Sequence, residues 1–420
     1  MNRQLTNKIL ITIGFLFLYR MLAYVPVPGV DTSVIASFFD SHSSDALGMF
    51  NMFSGNAIKR LSIISLGIMP YITASIIMEL LAATFPNLGQ MKKERDGMVK
   101  YMQIIRYATI AITLVQAVGV SIGLQSMTGK DGSSAILMDH NTFIMVSAIS
   151  MLAGTMMLMW IGEQITQSGI GNGISLIIFA GIVSAIPNAI GQTVTMVNTG
   201  AMSFITVIAI LLLVLATVGV IIYVELGERR IPVSYAKKTM MANQNKRVMN
   251  YIPIKVNLSG VIPVIFASAI LMFPMTVLSS STNHYVQMVA DLLSPSGYFF
   301  NFLTFLFVVF FAYFYASIVF NAKDIADNLK RQGGFIPGVR PGESTKEFLN
   351  EVASRLTFTG AIYLGLVATL PWIIVKGMGV PFYFGGTAVL ITVQVALDTM
   401  RKIEAQIYMS KYETLSAVGL

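Results

Sequence analysis

The chain is 420 residues long, 55% hydrophobic and 11% charged, with 28 Lys and Arg against 20 Asp and Glu, and its mean hydropathy is +0.71. Soluble domains carry about 25% charged residues, so this composition excludes a soluble globular protein and puts the chain in a membrane. Cysteine is absent, which excludes a disulfide framework and thiolate metal sites. The histidines His42, His140 and His284 are far apart in polar connections, so neither a metal centre nor a cofactor is expected.

Ten apolar stretches come at or near the roughly 20 residues that a helix needs to cross hydrocarbon. They run at about 9–25, 61–83, 104–124, 142–161, 173–190, 203–224, 259–278, 299–320, 357–375 and 382–400. The first is not expected to be a cleavable signal, because no small-residue cleavage site follows it. Between it and the second lies a segment that starts like a span and stalls. Ala46–Arg60 is apolar but broken by Gly48, Asn51, Gly55 and Asn56, and it is too short to cross. Irregular backbone at membrane depth survives only inside protein or beside a water-filled cavity, so this segment predicts a cavity with something folded into it.

The second span carries Gly67-Ile-Met-Pro-Tyr-Ile72, which places Ile68 and Ile72 on one helix face, with a kink expected at Pro70. Glu79 follows about two turns later, and a carboxylate there needs water or a partner. The fifth span opens on Gly169-Ile-Gly-Asn-Gly173 and presents Ile174 and Ile178 four apart. The glycine run is no nucleotide fingerprint, since a membrane helix follows and no strand precedes it. The seventh contains Ile262-Pro-Val-Ile-Phe266 and the tenth Gly385-Gly-Thr-Ala-Val-Leu-Ile391. By composition alone these isoleucines are ordinary lipid-facing or packing residues.

Basic residues set the orientation. Of the 28 Lys and Arg, 23 fall on one side, and only Arg20, Lys59, Arg60, Lys130 and Lys376 lie on the other. The positive-inside rule therefore predicts that both termini are cytoplasmic, with Arg20 expected to snorkel to the outer interface. Two long cytoplasmic connections, about 225–257 and 321–356, exceed what turns require and are expected to be functional. The first holds a β-prone run, Tyr223–Val233, and the second a helical piece, Ile325–Lys330. Ten spans divide into five plus five near residue 200, an arrangement common in membrane transport.

Five segments carry a family resemblance: Ala46–Leu81, Gly169–Ala180, Gly260–Pro274, Gly333–Gly342 and Gly385–Tyr412. They resemble the SecY/Sec61 alpha family of protein-conducting channel subunits, and Phe335-Ile-Pro-Gly-Val-Arg-Pro-Gly342 is an unusually specific string. The resemblance implies an all-α membrane protein with ten transmembrane helices in two pseudo-symmetric five-helix halves, 1–200 and 201–420. The halves form an inverted repeat around a central hourglass pore with a short plug helix. It implies a pore ring of Ile68, Ile72, Ile174, Ile178, Ile265 and Ile391, and a plug over about 46–60 that includes Leu47, Phe50, Met52, Phe53, Gly55 and Arg60. It implies Glu79, Gln116 and Asn257 along a lateral gate, and Arg229, Arg230, Arg340 and Tyr412 as contacts for cytoplasmic partners. Those partners are the SecA motor ATPase and the ribosome with its nascent chain. SecE and SecG are the implied membrane subunits, and signal peptides and secretory polypeptides the implied substrates, in the lipid bilayer of a bacterial plasma membrane. The residues leave one competing class open, a secondary transporter of a small solute. That class calls for polar or charged groups converging near mid-membrane, whereas most of the spans carry no ionisable residue and their midpoint motifs are isoleucine, glycine and proline. An intramembrane enzyme lacks both a metal set and a nucleophile–base pair.

Overall fold

The computed structural model describes residues 3–41, 55, 57–125, 136–235, 250–278, 288, 293, 297–378 and 386–417. The N-terminal helices are α1 (Arg3–Leu22), the short α2 (Thr32–Ser41), α3 (Met69–Thr84), α4 (Pro86–Lys93), α5 (Arg95–Gln125), α6 (His140–Ser168) and α7 (Gly173–Asn198). After them come α8 (Phe204–Leu226), strands β1 (Glu228–Tyr235) and β2 (Asn250–Lys255), α9 (Ile262–Leu278) and α10 (Tyr298–Val319). The chain continues with α11 (Ala322–Arg331), β3 (Gly334–Phe335), α12 (Glu343–Met378) and α13 (Gly386–Ala417).

Each of the ten apolar stretches contains a helix. Among the described residues, seven helices are long and apolar enough to cross a bilayer unaided, and α3 with α4, bent by 116°, makes an eighth if the pair is one broken span. The bend falls at Phe85, whose extended backbone ends α3 and whose successor Pro86 begins α4. Proline fits the first turn of a helix, where its missing N–H is not needed. The same rule corrects the expectation of a kink at Pro70. The second helix does not begin at residue 61 but at Met69, with Ile68 as its N-cap residue and Pro70 in its first turn. Ile68 and Ile72 are still joined, because the Ile68 carbonyl accepts from the Ile72 N–H at 3.1 Å.

Residues 57–68 run as consecutive turns, and Ala57, Leu61, Ser62 and Ile64 are fully buried. Buried backbone polar groups need partners, and these find them on the link between α1 and α2. Val27 N–H donates to the Leu61 carbonyl at 2.8 Å, Ile63 N–H to the Val25 carbonyl at 3.0 Å, and the Ser62 hydroxyl to the Leu22 carbonyl at 2.8 Å.

In the first part of the chain α1 packs on α6, α6 on α5 and α7, and α5 on α3 and α4. In the second, α10 lies between α9 and α12, and α13 packs on α8 and α12. The two groups touch where α9 meets α3 and α5, and where α13 meets α7 and α1. Small residues let helices and loops approach closely in such bundles. Gly154 on α6 is one: a Cβ there would come within 2.0 Å of the Ile63 carbonyl oxygen. We expect Gly154→Ala to lower stability by about 1–3 kcal/mol, the usual cost of forced overpacking, read as a lower unfolding midpoint in detergent. An unchanged midpoint would show that the 57–68 segment yields without cost.

Candidate functional site

The six isoleucines that the family resemblance groups in a ring lie on four helices: α3 (Ile68 as its N-cap), α7, α9 and α13. Of these, α9 packs on α3 and α13, and α13 on α7, and all six residues belong to the large apolar cluster of the bundle core. Ile68, Ile72, Ile178, Ile265 and Ile391 are buried in it, and the half-buried Ile174 packs against it. Local sequence explains how α7 delivers its pair. The Asn172 side chain caps the helix by accepting from the Ile174 N–H at 3.1 Å, which fixes the first turn and puts Ile178 one turn on. α9 supplies Ile265 four residues into its length, and α13 supplies Ile391 six residues in. Aliphatic side chains of this kind close a space tightly, yet they offer no fixed hydrogen bond to anything that passes among them.

Of the expected plug residues, Leu47, Phe50, Met52 and Phe53 lie outside the described residues, while Gly55 and Arg60 are described. Gly55 is buried with φ +69°, and a Cβ there would meet the Tyr19 hydroxyl at 2.8 Å and the Gly181 Cα at 3.1 Å. Only glycine combines that dihedral with that space. Its carbonyl accepts from the Arg20 Nη1 at 2.7 Å, and the same nitrogen donates to the Ser184 hydroxyl at 3.1 Å. Arg20 thus departs from the expected snorkel: its half-buried guanidinium ties α1, Gly55 and α7 together. The exposed Arg60 stacks on the Tyr24 ring, 4.0 Å from its centroid. Sequence reasoning missed this role for Arg20, and its one available signal was a cation one turn from the end of an apolar stretch.

No hydrogen bond joins Glu79, Gln116 and Asn257 to one another among the described residues. Glu79 reaches Lys92 on α4 at 3.5 Å with one carboxylate oxygen, and the other is buried without a hydrogen-bond partner. Gln116 is buried on α5 with its carbonyl oxygen likewise unpartnered. Asn257 is buried beside Glu225, to which it donates at 2.7 Å. Glu225 is the only Asp, Glu, Lys or Arg fully buried among the described residues.

The described parts of the two long connections form a single module. β1 pairs antiparallel with β2, Ile231 facing Ile252, and its far end pairs with the two-residue β3, Ser234 facing Phe335. Alternation in β1 sends Ile231 and Val233 inward, where they pack with Ile254, Ala322, Leu329, Ile336 and Leu349. Arg229, Arg230 and Arg340 are left exposed on it. Arg230 donates to Glu228 at 2.6 Å and lies 4.8 Å from the Tyr251 ring centroid; the hydrogen bond to Glu228, then the nearby phenol of Tyr251, raise its pKa above the ordinary guanidinium value. Thr345 donates to the Arg340 carbonyl at 2.9 Å and so braces that turn from the first residues of α12. Tyr412 falls within α13, and its side chain lies outside the described residues. Among the described residues no group of His, Cys, Asp and Glu could hold a metal ion.

Together these features define a helical membrane protein in which α3, α7, α9 and α13 bring aliphatic side chains together, with an ordered basic module built from two connections. The comparisons sharpen that class. A family model described as SecY matches residues 62–400, and the chain belongs to that family. It is 70% identical over 420 residues, the whole of both chains, to the protein translocase subunit SecY of Helicobacter pylori strain ATCC 700392 / 26695. A solved structure that bears on how the SecY plug domain stabilises the closed translocation channel superposes with a TM-score of 0.69 at 19% identity, over 96% of this chain and 93% of that one. Sec61 in the canine ribosome–channel complex from the endoplasmic reticulum gives 0.64 at 17%, with the same coverage.

Arg20→Gln should loosen Gly55 and the turns after it. A charge-assisted hydrogen bond contributes about 1.5–3 kcal/mol, so amide exchange between residues 57 and 63 should speed by roughly tenfold or more. Exchange that stays at the parent rate would remove the anchoring role.

Proposed function

We propose that the chain is the channel subunit of a bacterial protein translocase, through which unfolded polypeptides cross the membrane and hydrophobic segments leave sideways into lipid. The observation that carries this reading is that Ile68, Ile72, Ile174, Ile178, Ile265 and Ile391, from helices that pack α3 on α9, α9 on α13 and α13 on α7, all lie in the apolar core cluster, in a chain of the SecY family. In this reading the six form a gasket. It excludes water and ions when empty and deforms around a passing chain without holding it. The burial of just one charged residue among those described also favours a passive channel over a solute transporter, which concentrates such groups at its binding site.

The rest of the assignment follows the same logic. Ten crossings in two halves, 1–200 and 201–420, put both termini in the cytoplasm, and the excess of Lys and Arg on one side supports that orientation. Residues 46–60 act as the plug that closes the ring from outside, anchored to α1 through Gly55. The relative that addresses a plug-stabilised closed state supports that role. Glu79, Gln116 and Asn257 line the lateral gate, where α9 lies against α3 and α5. Arg229, Arg230, Arg340 and Tyr412 engage the cytoplasmic partners, SecA and the translating ribosome. Arginine suits both, because it makes paired hydrogen bonds to carboxylates and phosphates. SecE and SecG complete the membrane complex, signal peptides and secretory polypeptides are its substrates, and the bilayer is that of the bacterial plasma membrane.

Replacing Ile68, Ile174 and Ile391 together by Ser should raise ion leak through vesicles that contain the complex by about tenfold or more, because a wetted constriction no longer excludes ions. Conductance equal to the parent would remove the ring assignment. Arg340→Glu should slow SecA-driven export several-fold while the complex still assembles, and a normal export rate would remove Arg340 from the docking surface.

A further inference from the structure

The buried carboxylate of Glu225 has no role in the reading above, and its surroundings give it one. Glu225 closes the last turn of α8, 5% exposed, and accepts from the Asn257 amide at 2.7 Å. Asn257, 3% exposed, is fully engaged: its carbonyl oxygen accepts from the Ser259 hydroxyl at 3.0 Å and the Gly260 N–H at 3.1 Å, and its amide also donates to the Gly260 carbonyl at 3.2 Å. Arg401 on α13 donates to the Glu225 backbone carbonyl at 2.9 Å. Val256 N–H donates to the Gly227 carbonyl at 3.0 Å. α12 comes so close that a Cβ on Gly360 would stand 2.9 Å from the Val256 carbonyl oxygen.

This knot sits at a branching point of the chain. β1 begins at Glu228, directly after α8 and Gly227, and β2 ends at Lys255, two residues before Asn257. Five residues beyond Asn257, α9 begins at Ile262, and it carries Ile265 against α3 and α5. Both strands of the basic module therefore leave from the knot, and the helix with a ring residue starts from it. A hydrogen-bonded amide on a buried carboxylate is stiff, because breaking it strands a charge away from water. A displacement of the strands thus reaches α9 through the knot rather than being absorbed in the connection 256–261.

We propose that Glu225 and Asn257 are positioning residues that couple the β1–β2 module to α9, so that a protein docked on the module moves the helix that carries Ile265. The inference rests on the docking role assigned to the module above. Coupling of this kind is carried by packed and hydrogen-bonded elements held in common by two sites. It gives the pair a transmitting function, additional to the place at the gate proposed for Asn257.

The test uses the whole complex in vesicles, with SecA as the probe and an environment-sensitive dye on Ile262→Cys, the only thiol in a chain that otherwise has none. In the parent, SecA binding should shift the dye emission. Asn257→Ala should reduce that shift by about fivefold or more, in line with measured coupling changes, while SecA affinity stays within about twofold. Glu225→Gln keeps an oxygen that accepts from Asn257 and should retain most of the shift. If Asn257→Ala does not assemble, Asn257→Ser still accepts from the Gly260 N–H, loses the Glu225 bond, and gives the same comparison. A full dye response in the Asn257 variants overturns the coupling, and so does a loss of SecA affinity that accounts for the smaller shift. Arg340→Glu on the parent background separates the two readings, since unchanged SecA binding there would overturn the docking role and not the joint.

Discussion

Everything in the bundle depends on how residues 57–68 satisfy their backbone without a helix. An irregular stretch with Ala57, Leu61, Ser62 and Ile64 fully buried is tolerable only if its polar groups are paired, because each orphan among apolar helices would cost several kilocalories per mole. The link after α1 supplies those pairs through Leu22, Val25 and Val27. Ile68 is thereby held at the threshold of α3, and Arg20 holds Gly55 a few residues upstream. Ile68 and Gly55 are thus both held by bonds to α1 and the link after it. α1 packs in turn on α6, whose Gly154 lets the stretch lie against it.

The polar groups divide by location. Within the helical bundle, hydroxyls are mostly occupied locally, as when Thr109, Thr113 and Ser121 on α5 donate to carbonyls four residues back. Ser121 also meets Ser147 on α6 at 2.5 Å, a helix-to-helix bond of modest strength. Among the described residues, the one charge-assisted contact between buried side chains, Glu225 with Asn257, lies instead where the basic module joins the bundle. The Glu225–Asn257 knot thus lies outside the aliphatic cluster that holds the six isoleucines, where the strands of the module meet the bundle.

Much of this was legible in the sequence. Runs of apolar residues near the length of a span mark a helix at every expected stretch, whereas the isoleucines were grouped only by the family resemblance, since spacing alone does not tell a packing residue from a lipid-facing one. The boundaries were not legible. Pro70 reads as a kink in a long helix, yet it starts a shorter one, because hydropathy does not distinguish a buried turn from a buried helix. Nor did α3 and α4 announce their bend: Phe85-Pro86 signals a helix end but not a 116° turn. Glu225 and Asn257 are 32 residues apart, and Arg20 and Gly55 are 35 apart. Single-sequence periodicity carries no information on such pairings, and partners must be brought together by the fold before their chemistry can be read.

The two-residue strand β3 has a consequence for how this chain varies. By pairing with β1 it joins connections that are far apart in sequence, and beneath it Ile231, Val233, Ile336 and Leu349 share one small apolar core. Close packing ties their volumes together. A larger side chain at Val233 must be answered by a smaller one at Ile336 or Leu349, so the two connections are constrained to drift as one unit. An exchange of either connection alone between distant relatives would bring a mismatched core, whereas a paired exchange would carry its own.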